Sequence, residues 1–184
     1  MLALIGLRCS GKTSVGRALG ARLGVSCLDL DEVTLECVRA ASMAEPSAGA
    51  LIAARGEEAF RAIEARVLER ILALPHPFVL ATGGGVVERE SNRTALRARA
   101  LCVHLDAPDA VLVERLERER AVRPALLAGE SAAQEVPRLR QRRAVHFAEL
   151  AAFALDGGCE GVEQVAARLA ARIELVAGVG FRAR

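Results

Sequence analysis

Leu2-Ala3-Leu4-Ile5-Gly6-Leu7-Arg8-Cys9-Ser10-Gly11-Lys12-Thr13 stands at the start of the chain and decides the reading of its fold. Four apolar residues run into a glycine, as a buried strand feeding a tight turn does. Gly6 to Thr13 spells GxxxxGK[ST]. Val15, Leu19 and Leu23 then recur at helical spacing until Gly24 stops the helix. Strand, glycine-rich loop and helix are the context in which this motif cradles phosphate. The glycines let several N–H groups turn toward one anion, and the positive end of the helix adds to them. In such a loop Lys12 spans the β- and γ-phosphates, and the Thr13 hydroxyl is placed to ligate Mg²⁺.

Outward from this segment, apolar runs and helical stripes alternate. Val25–Leu30, Phe78–Ala81, Leu101–Leu105 and Ala152–Leu155 read as further short strands. Asp31–Arg39, Glu57–Leu72, the stretch opened by Pro108, Arg138–Leu150 and Val162–Val176 read as helices. In Glu57–Leu72 the apolar stripe is Phe60, Ile63, Val67 and Ile71, with Arg61, Glu64, Arg66, Glu69 and Arg70 around it. Residues 42–49 and 128–137 read as loops, and the tail 178–184 as frayed. Strands alternating with helices predict an α/β fold of three layers, a five-stranded parallel sheet covered on both faces.

The chain has 184 residues and a net charge of +2. Lys12 is its one lysine beside 24 arginines, so the remaining ammonium marks a place that a planar guanidinium does not suit. The near-neutral balance, with 23 interspersed acids and neither Trp nor Tyr, argues against a nucleic-acid surface. No apolar run is long enough to span a membrane. The short run Leu2–Leu7 lacks a basic leader, so the expected location is cytoplasmic. Five scattered cysteines form no CxxC pair and read as reduced thiols. His104, in an apolar strand, reads as a satisfied core histidine.

Four further clusters carry chemistry. Asp29-Leu30-Asp31 closes the second strand, where alternation places both carboxylates on one side, toward the ligand crevice. One would hold Mg²⁺ through water and the other an acceptor hydroxyl; the competing reading is a solvated strand end with a helix cap. Arg61 lies one turn from Glu57 and Glu64, either as a surface lattice or with Glu64 orienting a guanidinium that grips a carboxylate. Gly83-Gly84-Gly85 after a strand exposes backbone amides to a small ligand. Arg123, before Pro124 in a charge-dense stretch, would bring a cation onto a transferring phosphate. Cys9, inside the phosphate loop, is expected to have its thiolate favoured by the amides.

In this order the pieces resemble the shikimate kinase family, over nearly the whole chain from Leu2 to about Leu169. The resemblance implies a P-loop kinase architecture in one domain, 1–184, with a substrate-binding subdomain near 31–64 and a mobile lid near 117–134. It implies Mg²⁺-dependent transfer of the ATP γ-phosphate to the 3-hydroxyl of shikimate, on the way to chorismate and the aromatic amino acids. Asp31 would be the base, with Lys12 and Arg123 neutralising phosphate charge. Gly6, Arg8, Cys9, Ser10, Gly11, Lys12, Thr13, Ser14 and Arg123 would surround ATP, with Arg118 on the adenine in preference to Arg115 or Arg120. Asp31, Phe60, Arg61, Glu64, Gly83, Gly84, Gly85 and Arg143 would hold shikimate. Thr13 and Asp29 would serve the metal, Asp29 through water. A monomer binding ATP and shikimate, but neither nucleic acid nor membrane, is the expected state. The chain departs from the family pattern at Ala125 in the lid, at Phe147 where a tyrosine is usual, and in the extra length near 42–49. A kinase for another small acceptor such as gluconate or a nucleoside monophosphate, and a non-catalytic ligand sensor, are the alternatives.

Overall fold

Parallel pairing around β1 (Leu2–Ile5) organises the molecule. Leu2 lies opposite Val79 on one side and Leu101 on the other. The remaining strands are β2 (Ser26–Asp29), β3 (Phe78–Ala81), β4 (Leu101–Asp106) and β5 (Phe153–Asp156), in the order β2-β3-β1-β4-β5. All neighbours are parallel. The computed structural model describes residues 1–40, 48–122, 131–158 and 160–177.

The helices are α1 (Lys12–Leu23), α2 (Leu30–Ala40), α3 (Ala48–Arg55), α4 (Glu57–Leu72), α5 (Glu90–Arg99), α6 (Asp109–Val122), α7 (Ala132–Leu150) and α8 (Val162–Ala177). A 3₁₀ turn covers Val86–Glu88. Every β1 side chain is fully buried, and alternation splits them between two cores. Leu2 and Leu4 pack with Val15 and Leu19 of α1 and Val165 and Leu169 of α8. Ala3 and Ile5 pack on the opposite face with Val67, Leu68 and Ile71 of α4 and Leu96 of α5. Each buried valine, leucine or isoleucine among them contributes about 2 kcal/mol. The helix, sheet, helix layering and the five parallel strands are as the sequence predicts. A third, small cluster of Val38, Leu51 and Phe60 joins α2, α3 and α4 beside the sheet. α1 lies close on β2, because a methyl on Gly16 would meet Cys27 Sγ at 2.9 Å.

Several local expectations are corrected. The second strand stops at Asp29, and Leu30 already belongs to α2. Residues 132–137, expected as loop, form the first turns of α7, with Pro137 inside the helix. Gln134 Oε1 accepts from Ser131 N at 3.2 Å and from its Oγ at 3.0 Å, which fixes the start of that helix. Ala48 and Gly49, expected in a loop, begin α3; the expected loop residues 42–47 and the tail 178–184 lie outside the described residues. The final strand is shifted by one residue, to Phe153–Asp156. Glu64 does not border the α4 stripe but lies within it, fully buried. His104 stacks on Phe147 with ring centroids 4.6 Å apart, yet its Nε2 has no hydrogen-bond partner among the described residues, so it is not a satisfied core histidine.

Candidate active site

The C-terminal ends of β1, β3 and β2 open into one crevice, where the chain order reverses on either side of β1. The β1 end carries the phosphate loop. Gly6 has φ 148° and Gly11 φ 93°, conformations that L side chains rarely adopt. Cys9 shares the left-handed region at φ 63°. These turns direct the loop back over the start of α1. Lys12, 7% exposed, donates to Leu7 O at 2.7 Å and approaches Ser10 Oγ at 3.5 Å. Burial lowers its pKa to about 8, opposed by Asp31, Cys9 and Asp29. An ammonium this poorly solvated gains from the arrival of an anion.

Asp29 and Asp31 do not share one strand face. Asp29 ends β2 and caps α2, its Oδ1 accepting from Asp31 N at 2.9 Å and Glu32 N at 3.2 Å. Its Oδ2 accepts from Thr13 Oγ1 at 2.5 Å. The cap and the metal-serving readings therefore use different oxygens of one carboxylate. Asp31 sits in the first turn of α2 against Gly83. Burial and then Asp29 raise its pKa, with Lys12 and Arg61 opposing. A carboxylate held in this way is a better proton acceptor than a solvated one.

α4 supplies Arg61 and Glu64. Arg61 Nη1 donates to both Glu64 oxygens at 3.1 Å, and its Nη2 to Glu57 at 3.3 Å. Its Nε is buried without a partner among the described residues. Burial pushes Glu64 up to about 7 against the pull of Arg61. Phe60 lies beneath, 2% exposed, with its ring 5.4 Å from the Arg61 guanidinium carbon. It supports the arginine from the small core of Val38 and Leu51.

Gly83, Gly84 and Gly85 form the opposite wall, and a side chain at any of them would crowd its neighbours. A methyl at 83 would fall 2.6 Å from Asp31 Oδ1, and one at 84 would fall 3.0 Å from the Arg8 amide nitrogen. At 85 it would collide with the Arg61 guanidinium. Arg143 of α7 reaches the same place, its Nη1 lying 3.6 Å from a methyl at Gly84. Burial lowers the Arg143 pKa, opposed by Glu88. Asp31, Arg61, Glu64, Arg143 and the three glycines thus meet beside the phosphate loop.

Other expected residues are placed differently. Arg8 Nε and Nη2 donate to Glu119 of α6 at 3.2 and 2.9 Å. Cys9 Sγ donates to the same carboxylate at 3.0 Å. Burial and that contact push the Cys9 thiol up to about 12, which overturns the expectation of a favoured thiolate. Ser10 is buried and Ser14 exposed in the first turn of α1. Arg118 faces solvent and pairs with Glu114 at 2.6 Å. Arg115 instead reaches inward, to Cys9 O at 3.3 Å and to Gly157 and Gly158 O at 3.4 and 3.2 Å. Arg123, and with it the middle of the expected lid, 123–130, lies outside the described residues.

The sequence reading missed Glu88, Glu119, Arg115 as the inward arginine, and Arg140, which grips Asp106 at 2.8 and 3.0 Å and Asp109 at 2.5 Å. No cluster of three His, Cys, Asp or Glu that could hold a metal occurs among the described residues.

The family model for shikimate kinase matches residues 8–174. The chain is similar to the shikimate kinase of Nitratidesulfovibrio vulgaris, 40% identical over 156 residues that cover 84% of this chain and 85% of that protein. It is also similar to the shikimate kinase of Oleidesulfovibrio alaskensis, 37% identical over 179 residues, 96% of this chain and 97% of the other. Among solved structures it resembles the shikimate kinase from Acinetobacter baumannii in complex with shikimate. The TM-score there is 0.82 at 28% identity, covering 98% and 94% of the two chains.

Proposed function

The chain belongs to the shikimate kinase family, and on that premise we propose that its crevice transfers the γ-phosphate of ATP to the 3-hydroxyl of shikimate. One observation carries this reading. Two arginines, Arg61 and Arg143, and a half-buried carboxylate, Asp31, converge on a wall of bare backbone beside the only lysine of the chain. That is the set a small carboxylated polyol and a polyphosphate need together.

Phosphoryl transfer asks for position and charge neutralisation more than covalent chemistry. Lys12, the loop amides and the N-terminus of α1 hold the phosphates. Asp31 accepts the hydrogen bond of the attacking hydroxyl and takes its proton as the new P–O bond forms and the bond from the γ-phosphorus to the bridging oxygen breaks, releasing ADP. Arg61 and Arg143 hold the carboxylate of the acceptor, and Gly83–Gly85 give its ring hydroxyls access to backbone. Arg123 is the expected lid cation, within a lid near 117–134, and 31–64 is the expected substrate-binding subdomain. For the adenine, the inward reach of Arg115 supports it over Arg118.

The metal reading is tested by the donor set. A hydroxyl and a carboxylate oxygen, Thr13 Oγ1 and Asp29 Oδ2, adjoin at the loop, and both are hard oxygens that suit Mg²⁺. With so few protein donors, the ion would be held largely by water and phosphate. When bound, it neutralises charge on the phosphates. We further propose a cytoplasmic monomer that binds neither nucleic acid nor membrane. No helix among the described residues is long and apolar enough to cross a membrane.

The test is coupled detection of ADP with ATP, Mg²⁺ and shikimate. Shikimate-dependent ADP is expected. Asp31→Asn is expected to lower kcat by about 10²- to 10⁴-fold, the range for a lost general base, with nucleotide affinity unchanged. ATP binding without any shikimate-dependent turnover would overturn the reading, and ADP formed with gluconate instead would move it to that acceptor.

A further inference from the structure

One continuous run, 83–93, builds the wall of the acceptor pocket and also holds an arginine in it. The 3₁₀ turn Val86–Glu88 follows Gly85 directly. α5 braces that turn from behind. Asn92 Nδ2 donates to Val86 O at 3.0 Å, and Arg93 Nη1 donates to Val87 O at 2.7 Å and Glu88 O at 3.1 Å. Glu88 N closes the turn onto Gly85 O at 3.0 Å. Three successive carbonyls are therefore fixed, and position 88 cannot drift without moving the glycines.

From this turn Glu88 points to α7. Its Oε1 accepts from Arg143 Nε at 2.6 Å and lies 2.5 Å from Arg143 Nη2. Its Oε2 accepts from Arg142 Nη2 at 2.5 Å. The Glu88 side chain keeps 14% exposure and that of Arg143 8%, so the pair sits where charge-assisted hydrogen bonds are strong. A guanidinium has two usable edges. Glu88 takes the Nε–Nη2 edge and leaves Nη1 turned to Gly84, on the pocket side.

Resting on the shikimate kinase reading above, we propose that Glu88 is the positioning residue of the acceptor carboxylate. It grips Arg143 by its rear edge and presents the forward edge to the substrate. Arg142 steadies Glu88 through the second oxygen. Glu88 touches no reacting atom, so its signature lies in acceptor binding and not in the transfer step.

The experiment compares the parent with Glu88→Gln, Glu88→Ala, Glu88→Asp and Arg142→Ala, each checked by thermal melting. Two acceptors are used, shikimate and its uncharged methyl ester. Glu88→Gln and Glu88→Ala should raise the KM for shikimate by about tenfold or more, one charge-assisted hydrogen bond in scale. The KM for ATP should stay within twofold, and kcat should change less than KM. Glu88→Asp should recover part of the loss. Arg142→Ala should show a smaller shift of the same kind, and it keeps the test usable should a Glu88 variant fold poorly. With the ester, Glu88→Gln should lose nothing beyond what the parent has already lost. An unchanged KM for shikimate, a lower one (Glu88 then competes for Arg143), or an equal loss on the ester would each overturn the assignment. A parent that makes no shikimate-dependent ADP defeats the functional reading itself, and the assignment with it; an active parent with indifferent variants defeats only the role of Glu88.

Discussion

Gly83→Ala separates the architecture of the pocket from its chemistry. Position 83 is outside the left-handed region, so alanine suits its backbone. The added methyl would fall 2.6 Å from Asp31 Oδ1 and 2.8 Å from Glu64 Oε1, where ordinary contact starts near 3.4 Å. The two carboxylates must withdraw by roughly 0.8 and 0.6 Å. Both obstacles are side-chain tips, so the fold can give way. Overpacking of this kind costs about 1–2 kcal/mol, or a melting temperature lower by roughly 2–8 °C at this size. The reacting geometry has less tolerance. A displacement of about 1 Å at a catalytic group costs on the order of 10²-fold, so kcat is expected to fall about 30- to 100-fold. Nucleotide affinity should hold within twofold, since Lys12 and the loop are untouched. Coupled ADP release at saturating ATP and shikimate gives kcat, a fluorescent nucleotide gives affinity, and calorimetry gives the melting point. A folded Gly83→Ala enzyme with kcat within threefold of the parent would refute the placement of Asp31 at the reacting centre.

Two further outcomes are expected. The Lys12 pKa, lowered to about 8 by burial, makes nucleotide binding draw on a proton; the nucleotide Kd should therefore climb above pH 8, approaching tenfold per unit. In Lys12→Arg that slope should vanish because the guanidinium keeps its charge; titration calorimetry from pH 7 to 9.5 makes the comparison, and a flat parent would show that the Lys12 ammonium holds its proton throughout the empty loop. Arg115→Ala should weaken nucleotide binding by about tenfold, the scale of a lost charged hydrogen bond, whereas Arg118→Ala should leave it unaltered; equal effects from the two would return the adenine contact to an open choice.

What the sequence made legible is what is local. The phosphate loop is contiguous, its neighbouring strand and helix are patterned, and α4 runs from Glu57 to Leu72 as its stripe predicts. The missed helices lack that signal. α5 buries only Asn92 and Leu96, so no apolar stripe announces it. Pro137 reads as a breaker, yet it is carried within α7 because Ser131 and Gln134 secure the first turn. Asp31 reads with the strand end because alternation carries two residues past Asp29, where the strand stops and the cap opens α2. Glu88, Glu119 and Arg140 were illegible for another reason. Their partners stand 55, 111 and 34 residues away, and isolated charges carry no mark of what they will meet in space. Glu64 is the instructive middle case. It stands at the helical repeat of Phe60, Val67, Leu68 and Ile71, an acid on a core face, and the order of residues alone displays that mismatch.

The solitary lysine has an analytical consequence. The side chains of this protein offer acylating reagents a single primary amine, and it lies in the floor of the phosphate loop, 7% exposed and with its proton loosely held. A mass increment at residue 12 would therefore count open loops, one tag per molecule, without engineered probes. Nucleotide that fills the loop would shield that amine, so the untagged fraction becomes a direct census of occupied enzyme.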